Sequence, residues 1–265
     1  MPDIQSPHNA KIKLLRALQK RSGRRKHGLF VVEGLRHVGA AVESGAEMAF
    51  LLWAPDRLTS AYGLRLVETA QQRGVPMWTA SAEALDAASP REHSQGIVAA
   101  VRPRPFPLER LTPETHPWTV AVTAPQNPGN IGTLLRTADA VGAHALVLLD
   151  GGADPYAPAA VRASMGAIFW VPVVQTAWED FLPWAQRHGY HLYGSSARGT
   201  AAYNRIAYTP PMTLLLGNER HGLTPQQREA CEAIAVLPME GHGTSLNLAV
   251  AAGVLLYAMR EATKH

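Results

Sequence analysis

The chain has a single cysteine, Cys231, among its 265 residues, so no disulfide can form within it. We expect this thiol to be a structural residue of an amphipathic helix, in a protein of the reducing cytoplasm. No apolar run is long enough to span a bilayer, and the N-terminus carries charges where a signal peptide needs an apolar centre. We therefore expect a soluble globular protein of one large domain or two ordinary ones.

Several catalytic and binding motifs are missing as well. The sequence has no Walker A loop, no H-E-x-x-H motif and no paired Cys-x-x-Cys spacing, and its 11 histidines are scattered, so we expect no bound metal. Gly241 and Gly243 are followed by Leu246, where a G-x-G-x-x-G dinucleotide motif has glycine. Without a metal or a recognisable covalent nucleophile, direct group transfer between two bound substrates fits best, achieved by alignment and electrostatics.

Positive charge is concentrated at the N-terminus. Residues 1–27 hold eight Lys and Arg side chains against Asp3, a net charge of +7, so the rest of this +4 chain sums to −3. A basic segment on a mildly acidic body indicates a polyanion partner, while a solvated helix face beside a flexible basic turn is the alternative. Charge alone leaves both open. Apolar spacing predicts a helix over residues 10–20 and a loop over 21–28, and the candidates for contact with a polyanion are Lys11, Lys13, Arg24, Arg25 and Lys26.

Strands and helices alternate along most of the chain, which predicts an α/β fold with a parallel sheet in its C-terminal part. A smaller α/β unit is predicted over residues 1–101, closed by a strand in 93–101. Residues 102–117 are dense in proline and lack periodicity, and we interpret them as a stiff linker before a second domain at 118–265. The later strands are predicted at residues 118–123, 145–149, 171–174, 191–194, 212–216 and 233–237, and one helix at 158–168.

Two glycine-rich loops leave the same edge of the predicted sheet. The strands before them, at residues 212–216 and 233–237, are short continuous apolar runs, as in a parallel sheet covered on both faces. Ligands bind in the crevice outside the carboxyl ends of such strands, and glycine allows backbone to approach a ligand closely. Gly217–Gly222 and Pro238–Asn247 are therefore the first candidates for a binding site.

These loops resemble motifs two and three of SpoU/TrmH-type RNA methyltransferases of the SPOUT superfamily. The matching residues are Leu-Gly-Asn-Glu at 216–219, Leu-Pro-Met at 237–239 and Ser-Leu-Asn at 245–247, and motif one matches NPGNIGTLLRTADAVG at 127–142. The resemblance implies a C-terminal trefoil knot, S-adenosylmethionine bound in that knot, and a homodimer formed through the catalytic domain. It also implies transfer of a methyl group to a ribose 2′-hydroxyl of structured RNA.

The first domain resembles the substrate-binding domain that precedes many SpoU catalytic domains, whose fold is similar to that of certain ribosomal proteins. The match lies in Phe-Val-Val-Glu-Gly at residues 30–34, and His93 begins a segment similar to the family's His-Gln-Gly, with Ser94 inserted. This two-domain layout resembles that of ribosomal RNA modifiers, so we expect rRNA rather than tRNA as the substrate.

The resemblance assigns two sets of site residues. Those expected to bind the cofactor are Leu216, Gly217, Asn218, Leu237, Pro238, Met239 and Leu246. Those expected in the catalytic set are Asn130, Arg136, Glu219, Ser245 and Asn247. From the local pattern, Asn130 is predicted to cap its helix. Ser245 and Asn247 are expected to hydrogen-bond the substrate or each other, with a cap of the last helix by Ser245 as the alternative, and Glu219 is expected to have an orienting role.

Arg136 has two possible roles, and we expect it to contact RNA in both. It lies off the apolar stripe of its helix, so its guanidinium should reach solvent, a partner subunit or a substrate. The family's proposal is that this arginine is the general base. Because a guanidinium keeps its proton through the usual pH range, the alternative is a bidentate clamp on the phosphate of the target nucleotide.

Two other functions compete with RNA ribose methylation. One is a non-catalytic RNA-binding or ribosome-assembly protein that keeps the fold, which the complete set of motif residues disfavours. The other is methylation of a base or a small molecule, which the basic N-terminal segment disfavours.

Overall fold

A computed structural model describes residues 3–89 and 95–263 of the chain. The chain divides into two compact units. The first comprises Met1–Arg104 and Tyr156–Phe169, and the second comprises Pro105–Pro155 and Trp170–His265. His93 and Ser94, at which the sequence resembles the family's His-Gln-Gly segment, lie outside the described residues.

The first unit is built on a mixed four-stranded sheet in the order β1-β4-β2-β3. Strand β4 is antiparallel to both β1 and β2, whereas β2 and β3 are parallel. Helix α1 packs on this sheet through Ile12, Leu15 and Leu18, which are fully buried. The strands are β1 Phe30–Glu33, β2 Met48–Trp53, β3 Met77–Thr79 and β4 Ile97–Val101, and the helices are α1 Ala10–Leu18, α2 Arg21–His27, α3 Leu35–Glu43, α4 Ala61–Gln72 and α5 Ala82–Ala88.

The second unit is a seven-stranded parallel sheet in the order β7-β6-β5-β10-β8-β11-β9, which confirms the predicted α/β fold. Every residue of β5, β6 and β10 is buried, as their continuous apolar runs predict. The strands are β5 Trp118–Thr123, β6 Ala145–Leu149, β7 Val173–Thr176, β8 His191–Ser195, β9 Ala201–Ala202, β10 Met212–Leu216 and β11 Ala233–Val236. The helices are α6 Pro128–Val141, α8 Trp178–Arg187, α9 Pro225–Glu229 and α10 Leu248–Ala262.

Strand order brings together loops that are distant in sequence. Strands β5, β10, β8 and β11 are neighbours in the sheet, and they run in parallel. Thr119 on β5 and Thr213 on β10 are aligned, and their buried hydroxyls share a hydrogen bond of 2.7 Å. The carboxyl ends of all four strands therefore lie at one edge, at spacings of about 5 Å between neighbours.

The N-cap of helix α6 lies three residues before the predicted cap. Asn127 is its N-cap, with a side chain that accepts a hydrogen bond from the Gly129 N–H, and Pro128 occupies the first turn. The prediction that Asn130 caps this helix is therefore wrong. Proline suits the first turn because its missing N–H would have had no helical partner there. Asn130 lies inside the first turn instead, where its side chain is buried and available for tertiary contacts.

The predicted loop over residues 21–28 is also wrong, because Arg21–His27 forms helix α2. The helix ends at Gly28, whose φ of 61° is left-handed and suits glycine. Gly23 permits α2 to pack on the preceding helix, since a Cβ there would lie 2.0 Å from the Ala17 carbonyl oxygen.

The boundary between the two units falls between Arg104 and Pro105, inside the predicted linker of residues 102–117, but part of this proline-rich segment is folded. Leu108–Arg110 forms a 3₁₀ helix, and Leu108 and Leu111 are buried in the core of the second unit. A second correction concerns the helix predicted at residues 158–168. It is split by the left-handed Met165 into helix α7, Pro158–Ser164, and a short 3₁₀ helix, and this segment belongs to the first unit. There the ring of Phe30 packs against those of Tyr156 and Phe169.

Among the described residues, no helix is both long enough and apolar enough to cross a membrane.

Candidate active site

A cavity of about 660 Å³ opens at the carboxyl edge of the second unit's sheet. Residues at or beyond the ends of four strands line it. Asn130, in the first turn of α6, comes after β5, and residues 237, 239 and 245–248 follow β11. Residues 195–198 begin at the last residue of β8, and residues 216–222 begin at the last residue of β10. This volume lies in the range of small-molecule sites, and the edge is where open parallel sheets bind ligands.

The Glu219 carboxylate ties the loop after β10 to the start of α6. Both of its oxygens lie 3.1 Å from the Gln126 backbone N–H, and one accepts from Asn127 N–H at 3.4 Å. The same oxygen accepts from the Asn130 side-chain amide at 3.4 Å. A carboxylate suits this place because these N–H groups lie just before the first turn of α6, where no helical carbonyl accepts from them and the helix end carries partial positive charge.

Asn130 continues this network to the last helix. Its side-chain oxygen accepts a hydrogen bond of 3.2 Å from the Asn247 amide. Asn247 is also the N-cap of α10, accepting from Ala249 N–H at 2.9 Å and Val250 N–H at 3.4 Å. Because the amide groups of Asn130 and Asn247 both donate and accept here, Glu219, Asn130 and Asn247 form one chain of side-chain hydrogen bonds across three loops.

The loop after β10 is held in a tight, fixed shape. The Asn218 amide donates to the Ala124 carbonyl at 2.9 Å, and its oxygen accepts from Arg220 N–H at 2.9 Å. Asn218 and Gly222 exchange two backbone hydrogen bonds. Gly217 must be glycine, because a Cβ there would lie 2.2 Å from the Gly222 carbonyl carbon.

One wall of the cavity presents apolar side chains to solvent. Met239 and Leu246 are 37% and 41% exposed, although both are large hydrophobic residues. Together with Leu216 and Leu237 they line the same cavity as the polar chain of Glu219, Asn130 and Asn247. The site thus combines an apolar wall with a few fixed polar groups, the usual composition of a cofactor site.

Two family models match the chain. Residues 117–257 match the model described as SpoU rRNA Methylase family, and residues 9–99 match the MRM3-like substrate binding domain. The first match spans more than half of the chain and includes all the loops that line the cavity. The chain belongs to the SpoU rRNA methylase family.

Two curated relatives resemble this SpoU family member over nearly their whole length. The 23S rRNA (guanosine(2553)-2′-O)-methyltransferase RlmP of Bacillus subtilis is 32% identical over 98% of this chain and 100% of the relative. The 23S rRNA (uridine(2479)-2′-O)-methyltransferase of Streptomyces viridochromogenes is 32% identical over 91% of this chain and 85% of the relative.

Solved structures of similar proteins share the whole architecture. An rRNA methyltransferase from Sinorhizobium meliloti with bound AdoMet has a TM-score of 0.89 at 29% identity, covering 99% of this chain and 98% of its own. The SpoU methyltransferase AviRb from Streptomyces viridochromogenes, in complex with AdoMet, has a TM-score of 0.85 at 32% identity. It covers 96% of this chain and 98% of its own.

The structure gathers most of the residues that the SpoU motifs predict. Of the predicted cofactor and catalytic residues, all line the cavity except Pro238 and Arg136, within the part of the chain that is described. Ser245 lines it and is exposed. Because Asn247 is the N-cap of α10, the alternative that Ser245 caps this helix is wrong.

Arg136 lies away from the cavity of its own chain. It is exposed on α6, six residues beyond Asn130, which corresponds to about 9 Å along a helix axis. Its guanidinium makes no hydrogen bond or ion pair with any residue that the structure describes. The side chain is therefore available to a molecule outside this chain.

The sequence interpretation missed the loop after β8. Ser195, Ser196, Ala197 and Arg198 line the cavity because β8 lies between β10 and β11. Their signal was present, since polar and small residues follow the apolar strand directly. Strand order, which brings this loop to the site, cannot be read from the order of elements in the chain.

Cys231 is not a nucleophile for this site. Burial raises the pKa of its thiol to about 12, so the thiol is protonated at neutral pH and lacks the reactive thiolate form. The thiol donates a hydrogen bond to the Gln227 carbonyl at 3.1 Å and packs against the core of the second unit.

The predicted RNA-binding residues of the first unit divide into two groups. Lys13, Arg25 and Lys26 are exposed, and the Lys11 ammonium lies over the Trp78 ring at 3.7 Å from its centroid. Arg24 is instead buried, and its guanidinium donates to the Leu18 and Gln19 carbonyls at 2.9 and 3.0 Å. Arg24 thus supplies hydrogen-bond donors to backbone carbonyls at the end of α1. This role counts against its predicted contact with RNA.

Proposed function

We propose that this protein transfers a methyl group from S-adenosylmethionine to a ribose 2′-hydroxyl of ribosomal RNA. The observation that carries the proposal is the hydrogen-bonded chain Glu219–Asn130–Asn247 in the lining of a cavity built by all three SpoU motifs. Relatives that match between 80% and 98% of the chain are named as 23S rRNA 2′-O-methyltransferases, which favours rRNA of the large ribosomal subunit as the substrate.

The cavity fits S-adenosylmethionine in size and in the character of its walls. Met239 and Leu246 expose apolar surface that an adenosyl or methionine moiety would cover. Gly217 lets the β10 loop fold tightly against Gly222, and Leu216 and Leu237 complete the wall. When bound, S-adenosylmethionine supplies an electrophilic methyl group on a sulfonium.

The protein's own contribution is alignment. The Glu219 carboxylate fixes the loop before α6, and through Asn130 it fixes the orientation of the Asn247 amide. Ser245 is exposed in the same cavity and offers a hydroxyl that can donate and accept. These groups would hold the ribose hydroxyl in line with the methyl group, where correct placement removes much of the entropic barrier.

A homodimer would explain the position of Arg136. Helix α10 exposes Val250, Val254 and Tyr257, which recur at helical spacing and form an uncovered apolar stripe. We propose that a second copy covers this stripe, with α6 close by, and that Arg136 completes the cavity of the partner subunit. There it would clamp the phosphate of the target nucleotide or take part in removing the hydroxyl proton.

The remaining assignments also belong to this proposal. The first unit would bind RNA through its exposed basic residues, in keeping with its match to a substrate-binding domain. The trefoil knot and the cytoplasmic location stay predictions of the resemblance and of the composition.

Two assays on the purified protein test the proposed function. Isothermal titration with S-adenosylmethionine measures cofactor binding, and a non-catalytic assembly protein with a degenerate site should show none. Transfer of labelled methyl to RNA from cells lacking this gene, separated by size, then identifies the substrate class. We expect label in 23S rRNA, whereas label in tRNA alone would contradict the proposed substrate.

A further inference from the structure

The cavity carries positive charge that the described residues do not neutralise. Its lining includes three formally charged side chains, Arg198, Glu219 and Arg220. Glu219 is engaged by backbone N–H groups at the start of α6. Neither guanidinium makes a hydrogen bond or an ion pair with a residue in the ranges 3–89 and 95–263.

The positive charge at the cavity is opposite in sign to the net charge of the surrounding protein. Residues 28–265 sum to −3, since the chain carries +4 and residues 1–27 carry +7. Both arginines are exposed at the cavity, and His221 beside them is exposed as well. A local cationic patch on a mildly acidic body indicates an anionic ligand at this place.

The backbone beneath both arginines is fixed. Arg198 N–H donates to the Ser196 hydroxyl at 3.1 Å, and its carbonyl accepts from the Arg228 guanidinium at 2.8 Å. The next residue, Gly199, lies so close to β11 that a Cβ would be 2.5 Å from the Ile234 carbonyl oxygen. Arg220 N–H is held by the Asn218 side chain. Each guanidinium therefore extends from an anchored loop rather than from a free segment.

We propose that Arg198 and Arg220 together bind a phosphate of the RNA backbone beside the target ribose. They follow β8 and β10, which are neighbouring strands, so their side chains can converge on one group. Guanidinium groups bind phosphate bidentately, and such contacts fix the register of a nucleic acid without reading its sequence. The inference rests on the proposed function and adds a positioning pair on the same chain as the cofactor loops.

Phosphate is favoured over the carboxylate of the cofactor by location. The arginine side chains are exposed where they line the cavity, whereas Leu216 and Gly217 in the same lining are buried. A small cofactor can reach the buried part of the lining, whereas a macromolecular substrate meets the exposed side chains. Cofactor carboxylate remains the competing anion and is a defined outcome of the test.

The test uses the variants Arg198→Gln and Arg220→Gln, singly and together. Arg187→Gln is the matched control, because Arg187 is an exposed arginine of the same unit at the end of α8, outside the cavity. The RNA probe is total rRNA from cells lacking the gene. The Kd of the protein for this rRNA is measured by filter binding over a range of salt concentrations, an assay that needs no turnover. The Kd for S-adenosylmethionine is measured by calorimetry without RNA.

For the double variant we expect the Kd for rRNA to rise about tenfold or more, as expected when a charged hydrogen bond is removed. The slope of log K against log salt should fall by about 0.7–0.9 for each phosphate group that the variant no longer binds. The Kd for S-adenosylmethionine should stay unchanged, and Arg187→Gln should match the wild type in both. Lysine at the two positions should restore the salt slope and only part of the affinity.

Two results would overturn the inference. An unchanged rRNA Kd and salt slope in the double variant would show that neither arginine contacts the backbone. A weakened cofactor Kd with unchanged rRNA binding would assign the pair to the cofactor carboxylate. Failure of the proposed function would be seen in a different experiment. In that case the wild-type protein would transfer no methyl group to RNA, whichever group the two arginines bind.

Discussion

The side-chain amide of Asn247 donates a hydrogen bond of 3.2 Å to the side-chain oxygen of Asn130, 117 residues earlier in the chain. The contact joins the N-cap of the last helix to the first turn of α6. Through the Asn130 amide it continues to the Glu219 carboxylate. A helix cap and the proposed catalytic network therefore share one residue, and substitutions can separate the two roles.

Asn247→Ser should keep the cap and remove the hydrogen bond to Asn130. A serine hydroxyl still accepts from the first N–H groups of α10, but it is too short to reach the Asn130 oxygen. We expect thermal stability near that of the wild type and a fall of about tenfold in kcat/KM, equivalent to one hydrogen bond of about 1.4 kcal/mol. Asn247→Ala should lose activity and also about 1 kcal/mol of stability. Equal activity of the serine variant and the wild type would contradict a role for this hydrogen bond.

Gly217→Ala should impair cofactor binding through backbone geometry alone. The new Cβ would meet the Gly222 carbonyl carbon at 2.2 Å and displace the loop after β10. Overpacking of this kind costs about 1–3 kcal/mol, so the calorimetric Kd for S-adenosylmethionine should rise about tenfold or more. Gly241→Ala is the control, since nothing lies within 4 Å of its added Cβ. Unchanged cofactor affinity in Gly217→Ala would remove this loop from the cofactor site.

Arg136→Ala should cause a large loss of methyl transfer, whereas Arg136→Lys separates the two proposed roles. A lysine keeps the charge but not the bidentate geometry of the guanidinium. If Arg136 clamps a phosphate, the lysine variant should lose most of its activity while its cofactor Kd stays unchanged. Full-speed turnover by Arg136→Lys would eliminate the clamp.

Arg24 and Arg25 should respond differently although they are adjacent. Arg24 is 8% exposed and hydrogen-bonded to the end of α1, so Arg24→Gln should lower the free energy of unfolding by about 1–3 kcal/mol. Arg25 is exposed, so Arg25→Gln should leave the melting temperature unchanged and weaken rRNA binding in a salt-dependent manner. The opposite pattern, with Arg25 stabilising and Arg24 binding RNA, would overturn the placement of α2.

The sequence predicts the central strands well because each is a continuous apolar run with polar or turn-forming residues at both ends. Met212–Leu216 and Ala145–Leu149 are found at the predicted bounds. The proline-rich segment was misread because the burial of Leu108 and Leu111 depends on a core assembled from distant parts of the chain. In residues 21–28, Gly23 indicates a loop locally, yet close packing against Ala17 requires glycine there within a helix.

The candidate site also combines residues that the sequence predicts with contacts that depend on the tertiary structure. Motif resemblance located Glu219, Asn130 and Asn247, but it could not indicate that they form one hydrogen-bonded chain. Arg198 was missed because its loop reaches the cavity only through the position of β8 between β10 and β11. Its side chain belongs to no motif, and only the folded sheet relates it to Arg220.

The most direct measurement of the central claim is the chemical identity of the methylated nucleoside. Ribosomal RNA from cells lacking this gene is incubated with the purified protein and labelled S-adenosylmethionine, digested to nucleosides and analysed by mass spectrometry. We predict one new nucleoside with the methyl group on its ribose 2′-oxygen, absent when Asn130→Ala replaces the wild type. A methyl group on a base, or no product from a protein that binds the cofactor and rRNA, would contradict the account.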